Sequence, residues 1–397
     1  MVDKSIETSF IKLEEYCRSE AYKGYDPFDG LNSKLFDYLP FLRKSRLFKL
    51  IWIQFFKRSP VNFRKIAGIK KDYNAKAVGL FLSGYCNLYK INPTETTIFQ
   101  IRSFIDQLQQ CQSDEYSGSC WGYNFDWQAR AFFQPKNTPT IVATTFISNA
   151  LLDAYEIIGE EHLLKMARSS CDFIIKDLNK TYDDKGNFAF SYSPLDKSVV
   201  FNASLLGSRL LSRVYNFTKE SILIEEAKKS VAFCCNQQLS NGSWCYGTHS
   251  FHQWIDNFHT GYNLECIAEY MKFSGDNSYE QHLDMGFTFY IKTFFTEEGI
   301  PKYYSNSIYP IDIHAPAQMV ITLSKLDKFQ EQKELLDRVL KWTITNMQSE
   351  KGYFYYQINK YFPSKIPYIR WAQAWMFYAL STYLFEENKK TNKLQKP

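Results

Sequence analysis

Six histidines occur in the 397 residues, and four of them, His249, His252, His259 and His314, stand in polar stretches that run into long apolar segments. Asp256 and His259 are three residues apart, which puts both on one face of a helix and makes them a candidate carboxylate-oriented imidazole for proton transfer. A helix-capping role for Asp256 is the competing explanation. Asp312 and His314 form a second acid and imidazole pair. Asp126 stands between Phe125 and Trp127, where apolar surroundings would raise its pKa and suit it to donate a proton. Two such carboxylates facing one cavity fit glycoside hydrolysis, whereas one carboxylate with a histidine or tyrosine fits abstraction of a carbon-bound proton.

The same stretches are rich in side chains that hold flat or hydroxyl-bearing ligands. Trp121, Trp127, Trp244, Trp254, Trp371 and Trp375 are six of the eight tryptophans, and saccharide rings stack their C–H faces on such indoles. Trp375 lies deeper in its segment and is as readily a packing residue. Tyr123, Asn137, His252 and Asn257 add hydrogen-bonding groups. Arg130, Lys136 and Arg370 are suited to a uronate carboxylate or a phosphate. His249, His252 and His259 are too sparsely spaced for a convincing metal site, and no cofactor is implied.

What positions these residues is a repeat. Glycine turns followed by aromatics recur at Gly122, Gly186, Gly242, Gly299 and Gly352, spaced 64, 56, 57 and 53 residues apart. That period fits two helices and two loops. After each turn and loop comes a segment apolar almost all round: 141–157, 199–215, 255–271, 311–326 and 369–384. A helix with no polar face is buried on every side. Amphipathic segments such as 222–237 and 333–347 alternate with them and form an outer layer. With 76–89 as a further inner helix, 97–110 as its partner and about 7–19 closing the ring, the chain predicts one all-α domain over 1–397, an (α/α)6 barrel of six helical hairpins. The loops entering the inner helices then gather at one mouth.

Composition sets further bounds. At 45% apolar and 17% aromatic the chain can bury a large core. The first residues lack the basic and apolar regions of a signal peptide, and the longest apolar stretch, 47–56, is short of the roughly 20 residues that span a bilayer. Nine cysteines without C-x-x-C spacing suit reduced thiols in a cytoplasmic protein. The net charge is +5, yet eleven lysines and arginines meet only Asp72 between Arg43 and Lys76. This stretch, within a helical segment expected at the periphery over about 34–72, is either a solvated basic face or a contact for an anionic membrane. No nucleic-acid-binding motif accompanies it.

This repeat of helical hairpins resembles the six-hairpin α/α toroid superfamily, and the turns Gln237-Gln238-Leu239-Ser240-Asn241-Gly242-Ser243-Trp244 and Gln348-Ser349-Glu350-Lys351-Gly352-Tyr353 are similar to the Gln-and-aromatic turns of terpene cyclases. The superfamily holds glycosidases, uronyl hydrolases, polysaccharide lyases, sugar 2-epimerases and the helical domain of glucuronyl C5-epimerases. The segment Tyr22-Lys23-Gly24-Tyr25-Asp26-Pro27-Phe28-Asp29-Gly30-Leu31-Asn32-Ser33 is similar to bacterial proteins of capsular and surface polysaccharide loci, some of which carry the name delta-aminolevulinic acid dehydratase. The resemblance implies a carbohydrate-active enzyme working on a glycan or lipid-linked oligosaccharide, with Tyr25 and Asp26 in the substrate site. A non-catalytic glycan-binding or scaffold toroid is the alternative. Terpene cyclases share the toroid, but their Asp-x-Asp-Asp motif is absent and the polar, histidine-rich loops disfavour an isoprenoid substrate.

Overall fold

A computed structural model describes residues 3–38, 40–130 and 132–394. Six inner helices form a closed ring: α5 (Ala75–Ile91), α7 (Ile141–Ile158), α9 (Phe201–Thr218), α11 (Asn257–Ser274), α13 (His314–Lys325) and α15 (Ala374–Leu394). Each packs on the next, and α15 packs back on α5. The outer helices are α6 (Glu95–Gln110), α8 (Glu161–Asp172), α10 (Ser221–Cys235), α12 (Glu280–Phe294) and α14 (Lys333–Met347), with α1 (Lys4–Ser19) packed between α14 and α15 as the sixth. The fold is the expected (α/α)6 toroid. Among the described residues, strands are confined to short antiparallel ladders in the loops, such as Trp127–Gln128 with Phe133–Gln134.

The repeat arises from close packing at the glycine turns. Gly242 has φ +89°, and a Cβ there would lie 2.4 Å from the Met285 carbonyl oxygen on α12. Gly352 has φ +93° and would meet Lys12 of α1 in the same way, so the fifth turn docks on the first helix and closes the ring. Only glycine combines a left-handed backbone with so close an approach. The side-chain amide of Gln238 ties the Gly242 carbonyl to the His282 carbonyl, and Gln348 ties Gly352 to Ser9. In the first repeat Gly118, rather than the expected Gly122, packs on the outer helix, against Ser169 of α8.

Trp121 and Trp244 belong to this packing. Both are fully buried, and their indole N–H groups donate to the carbonyls of Leu108 and Cys234, in the last turns of α6 and α10. Their expected placement as saccharide platforms gives way to a structural role.

Deeper in the ring, polar side chains bridge every pair of neighbouring inner helices. Ser83 meets Asp153, Arg213 meets Asp153, Arg209 meets Glu265 and Glu269, Lys325 meets Glu269, Ser324 meets Glu386, and Asn87 meets Thr382. Burial alone would raise the Glu269 carboxyl, but Arg209, Lys325 and Arg213 hold it below the ordinary carboxylate range. Buried charges persist only when paired in this way. Tyr378, inside the belt on α15, feels Asp153, Arg209, Glu265 and Glu269 at once.

The basic segment does not stand apart from the ring. Its helices α2 (Lys34–Asp37), α3 (Pro40–Lys44) and α4 (Arg46–Arg58) lie across the loops that enter α7 and α15. Ile53, Phe36 and Leu31 pack with Trp52, Trp127 and Phe133. Arg64 bonds Asp29 at 2.7 Å and lies over Tyr368, whose hydroxyl reaches the Phe56 carbonyl. Arg43 approaches Asp126, and Lys49 sits 3.8 Å from the Phe133 ring centre.

Candidate active site

Four inner helices, α9, α11, α13 and α15, begin two to five residues later than their apolar runs suggest, because the intervening residues serve the mouth. Asp256 is the N-cap of α11, with Oδ1 accepting from the His259 N–H at 3.0 Å. Its Oδ2 accepts from the indole of Trp254 at 2.9 Å and meets His259 Nδ1 at 2.7 Å. The capping and imidazole-orienting roles are therefore one device. Anchoring Nδ1 on a carboxylate leaves Nε2 as the nitrogen available to a ligand. The His259 side chain is 20% exposed while Asp256 is wholly enclosed. Trp254 stacks on Tyr246, whose ring centre is 4.7 Å from that of His259.

His314 starts the next inner helix. Its Nε2 pairs with the Tyr262 hydroxyl at 2.7 Å, and Nδ1 is buried without a protein partner. Burial, with help from Lys76 and His259, holds its pKa well below the usual range, so the imidazole is neutral. Phe258 links the histidines: its ring lies 4.2 Å from His259 and 4.3 Å from His314, while Tyr262 is 5.9 and 5.8 Å from the same two.

Asp312 is fully buried, and desolvation pushes its carboxyl up to about 6. Its oxygens accept from the His314 backbone N–H, the Trp371 indole and the Gln357 amide. A carboxylate holding three donors orients them and has little capacity left to shuttle protons. Trp371 is thereby fixed 5.3 Å from His314. Arg370 makes a bidentate pair with Asp26 at 2.5 and 2.8 Å and covers the Tyr123 ring. Tyr123 bonds Tyr192 through their hydroxyls, and Trp127 and Trp371 both contact Phe28.

The mouth thus brings together Asp256, His259, Asp312, His314, Trp254, Trp371, Trp127, Tyr123, Arg370 and Asp26. Asp126 lies elsewhere, on the rim: its side chain is part-exposed, accepts from the Lys136 N–H and faces Arg43, so the apolar pocket expected for it is not there. Arg130 and Asn137 are exposed on the same hairpin, and Asn137 occupies a left-handed turn position. Asn257 is buried against the Tyr290 hydroxyl. His252, kept neutral by burial with its pKa down to about 4, packs edge-on to Tyr246 and Trp254 behind the dyad. Tyr25 packs beside Arg64 and contributes its carbonyl to Ile369. Among the described residues no three His, Cys, Asp or Glu side chains converge as metal ligands.

Sequence reasoning passed over Phe28, Lys57, Tyr192 and Tyr246. Tyr192 and Tyr246 follow the second and third glycine turns, and their place in the repeat was the available signal. Lys57 carried none, because its position depends on where α4 lies.

This architecture is shared with solved carbohydrate-active proteins. Cellobiose 2-epimerase from Bacillus thermoamylovorans superimposes with a TM-score of 0.63 at 13% identity, over 79% of this chain and 88% of that one. The chain is built on the six-hairpin toroid. An unsaturated glucuronyl hydrolase specific for heparin matches at TM-score 0.62 and 13% identity, over 98% of this chain and 97% of that one. A D-mannose isomerase gives 0.58 and 15%, over 80% and 87%. No protein-family model matches the sequence, and a search of curated proteins returned no match.

Proposed function

We propose that this toroid is a carbohydrate-active enzyme that moves protons at a sugar carbon, in an epimerisation or elimination, using His259 on one side and the Tyr262–His314 couple on the other. The observation that carries this reading is the division of labour at the mouth. Asp256 and Asp312 are each taken up by three donors, while His259 Nε2 and the neutral His314 are the groups left for chemistry. A carboxylate pair with room for water, as glycoside hydrolysis needs, is not what this arrangement offers. A base oriented by a carboxylate, with a second acid–base group near it, is what proton abstraction and return require. The toroids of similar architecture that act on sugars support the substrate class.

The test is exchange with solvent. Candidate mono- and disaccharides, neutral and uronic, are incubated with the protein in deuterium oxide and followed by proton NMR. Loss of one ring-carbon proton signal, abolished in His259→Ala, is the expected result. Release of a reducing sugar without exchange would replace this reading with hydrolysis.

The setting we infer is cytoplasmic assembly of a surface polysaccharide at the membrane, which the likeness of residues 22–33 to polysaccharide-locus proteins supports. The outer face of α4 supports it as well: Leu47, Phe48, Ile51 and Phe55 are exposed along one stripe beside a run of basic residues. An apolar stripe flanked by cations suits an anionic bilayer. Co-sedimentation with phosphatidylglycerol vesicles, weakened by salt and by an Ile51→Glu/Phe55→Glu double variant, is expected. Equal sedimentation with neutral vesicles would refute membrane attraction by charge.

A further inference from the structure

The cations of the mouth fall into two kinds. Arg370 is matched by Asp26 and Arg64 by Asp29, each across a short hydrogen-bonded contact. Lys57 and Lys76 have no such match: among the described residues, no carboxylate lies within ion-pairing distance of either. Lys57, in the last turn of α4, is half-buried, with Nζ 4.5 Å from the centre of the Phe28 ring. Phe28 in turn touches both Trp127 and Trp371. Lys76, in the first turn of α5, is 3% exposed, and its Nζ lies over the rings of Phe146, Trp375 and Tyr262, at 4.2, 5.2 and 5.7 Å.

The two lysines come from different elements yet belong to one region. Both feel the Asp26–Arg370 pair; Lys57 also feels Asp312, and Lys76 is felt by His314. Burying an ammonium without a counter-charge is unfavourable, and burial pulls Lys57 down to about 8 and Lys76 well below its usual range. Two such groups beside one histidine pair, with aromatic faces for a sugar ring, are suited to a negatively charged ligand.

We propose that Lys57 and Lys76 form an anion subsite, so that the saccharide this site accepts carries a negative charge, a uronate carboxylate or a phosphate, engaged by Lys57 with Lys76 as the deeper amine. The proposal rests on the saccharide reading of the mouth and narrows it to acidic sugars. It also gives α4 a second duty. The outer face of that helix meets solvent, and its last turn delivers the cation that selects the substrate.

Binding would be measured by isothermal titration calorimetry on the full chain with methyl glucoside, methyl glucuronide, glucose 1-phosphate and inorganic phosphate. At least one charged sugar should bind on the order of tenfold more tightly than methyl glucoside, about 1.4 kcal/mol. Whether the glucuronide or the phosphate ester shows the gain decides which anion is meant, and inorganic phosphate reports the contribution of charge alone. Lys57→Met should reduce the preference to less than twofold, and Lys57→Arg should retain most of it. Circular dichroism of both variants establishes that they fold. Equal binding of neutral and charged sugars, or a preference that survives Lys57→Met, overturns the subsite and leaves the saccharide reading standing. Binding of none of the sugars overturns both.

Discussion

Replacing Lys57 by methionine should make the protein more stable while spoiling its site. Burial lowers the Lys57 ammonium from 10.5 to about 8, and a shift of that size corresponds to about 3 kcal/mol of native-state destabilisation. Solvent reaches part of the side chain and screens some of that cost. The contact with Phe28 is worth roughly 0.5–1 kcal/mol, and it is lost in the variant. The net gain for Lys57→Met at pH 7 is then about 1–2 kcal/mol. Its pH dependence follows from the sign of the shift. Below pH 8 the lysine is protonated in both native and unfolded chains, so the full cost is present. Between about 8 and 10.5 the native chain releases the proton while the unfolded chain keeps it, and the wild type regains stability relative to the variant. Urea midpoints at pH 7 and pH 9.5 would show a gap that narrows with pH. A variant less stable than wild type at pH 7, or a gap indifferent to pH, would refute the account of Lys57 as an unmatched buried cation.

Asp256→Asn keeps a helix cap but loses an acceptor for the imidazole or the indole, so any exchange activity should fall by a factor of about 10²–10⁴, with a stability loss of no more than about 2 kcal/mol; a full-activity variant would remove the dyad from the mechanism. Gly352→Ala drives a Cβ to 2.2 Å from the Lys12 carbonyl at φ +93° and should lower the melting temperature sharply, whereas Gly186→Ala, with open space around it, should cost only about 1–2 kcal/mol; similar losses would deny that the fifth turn closes the ring on α1. Asp312→Asn removes a carboxyl raised from 3.8 to about 6. The wild type has that group's full stabilisation below pH 3.8 and loses it as pH passes 6, so the variant should gain on it by up to about 3 kcal/mol between pH 4 and pH 7. A pH-independent difference in denaturant midpoint would speak against that burial.

The ring was legible because its periodicity is imposed by backbone contact. A turn that presses on the next outer helix needs glycine, and an inner helix wedged between two neighbours and an outer partner must be apolar all round. The same regularity misled at Trp121 and Trp244, where an aromatic recurring just after the turn marks packing against the preceding helix end. The Asp256–His259 pair could be read because both members lie within one helical turn. Asp126 could not, since the direction of its side chain is set by a hairpin whose other strand carries Lys136. Lys57 was hidden for a related reason: amphipathicity shows that α4 has two faces, but which lysine points into the mouth depends on how the helix packs on Trp127 and Tyr368, distant in sequence, and brings Lys57 over Phe28.

The belt of bridged side chains in the lower half of the ring bears on traffic. With Tyr378 and the Arg209–Glu265–Glu269 cluster buried inside it, the toroid is a cup rather than a tube. A polymer strand could not be threaded through, and on the proposed function a sugar that reaches His259 would leave by the mouth through which it entered. If the proposed function holds, such a geometry would favour chain ends and short oligosaccharides, taken one at a time, over an interior unit of a long chain, which would have to enter as a folded loop.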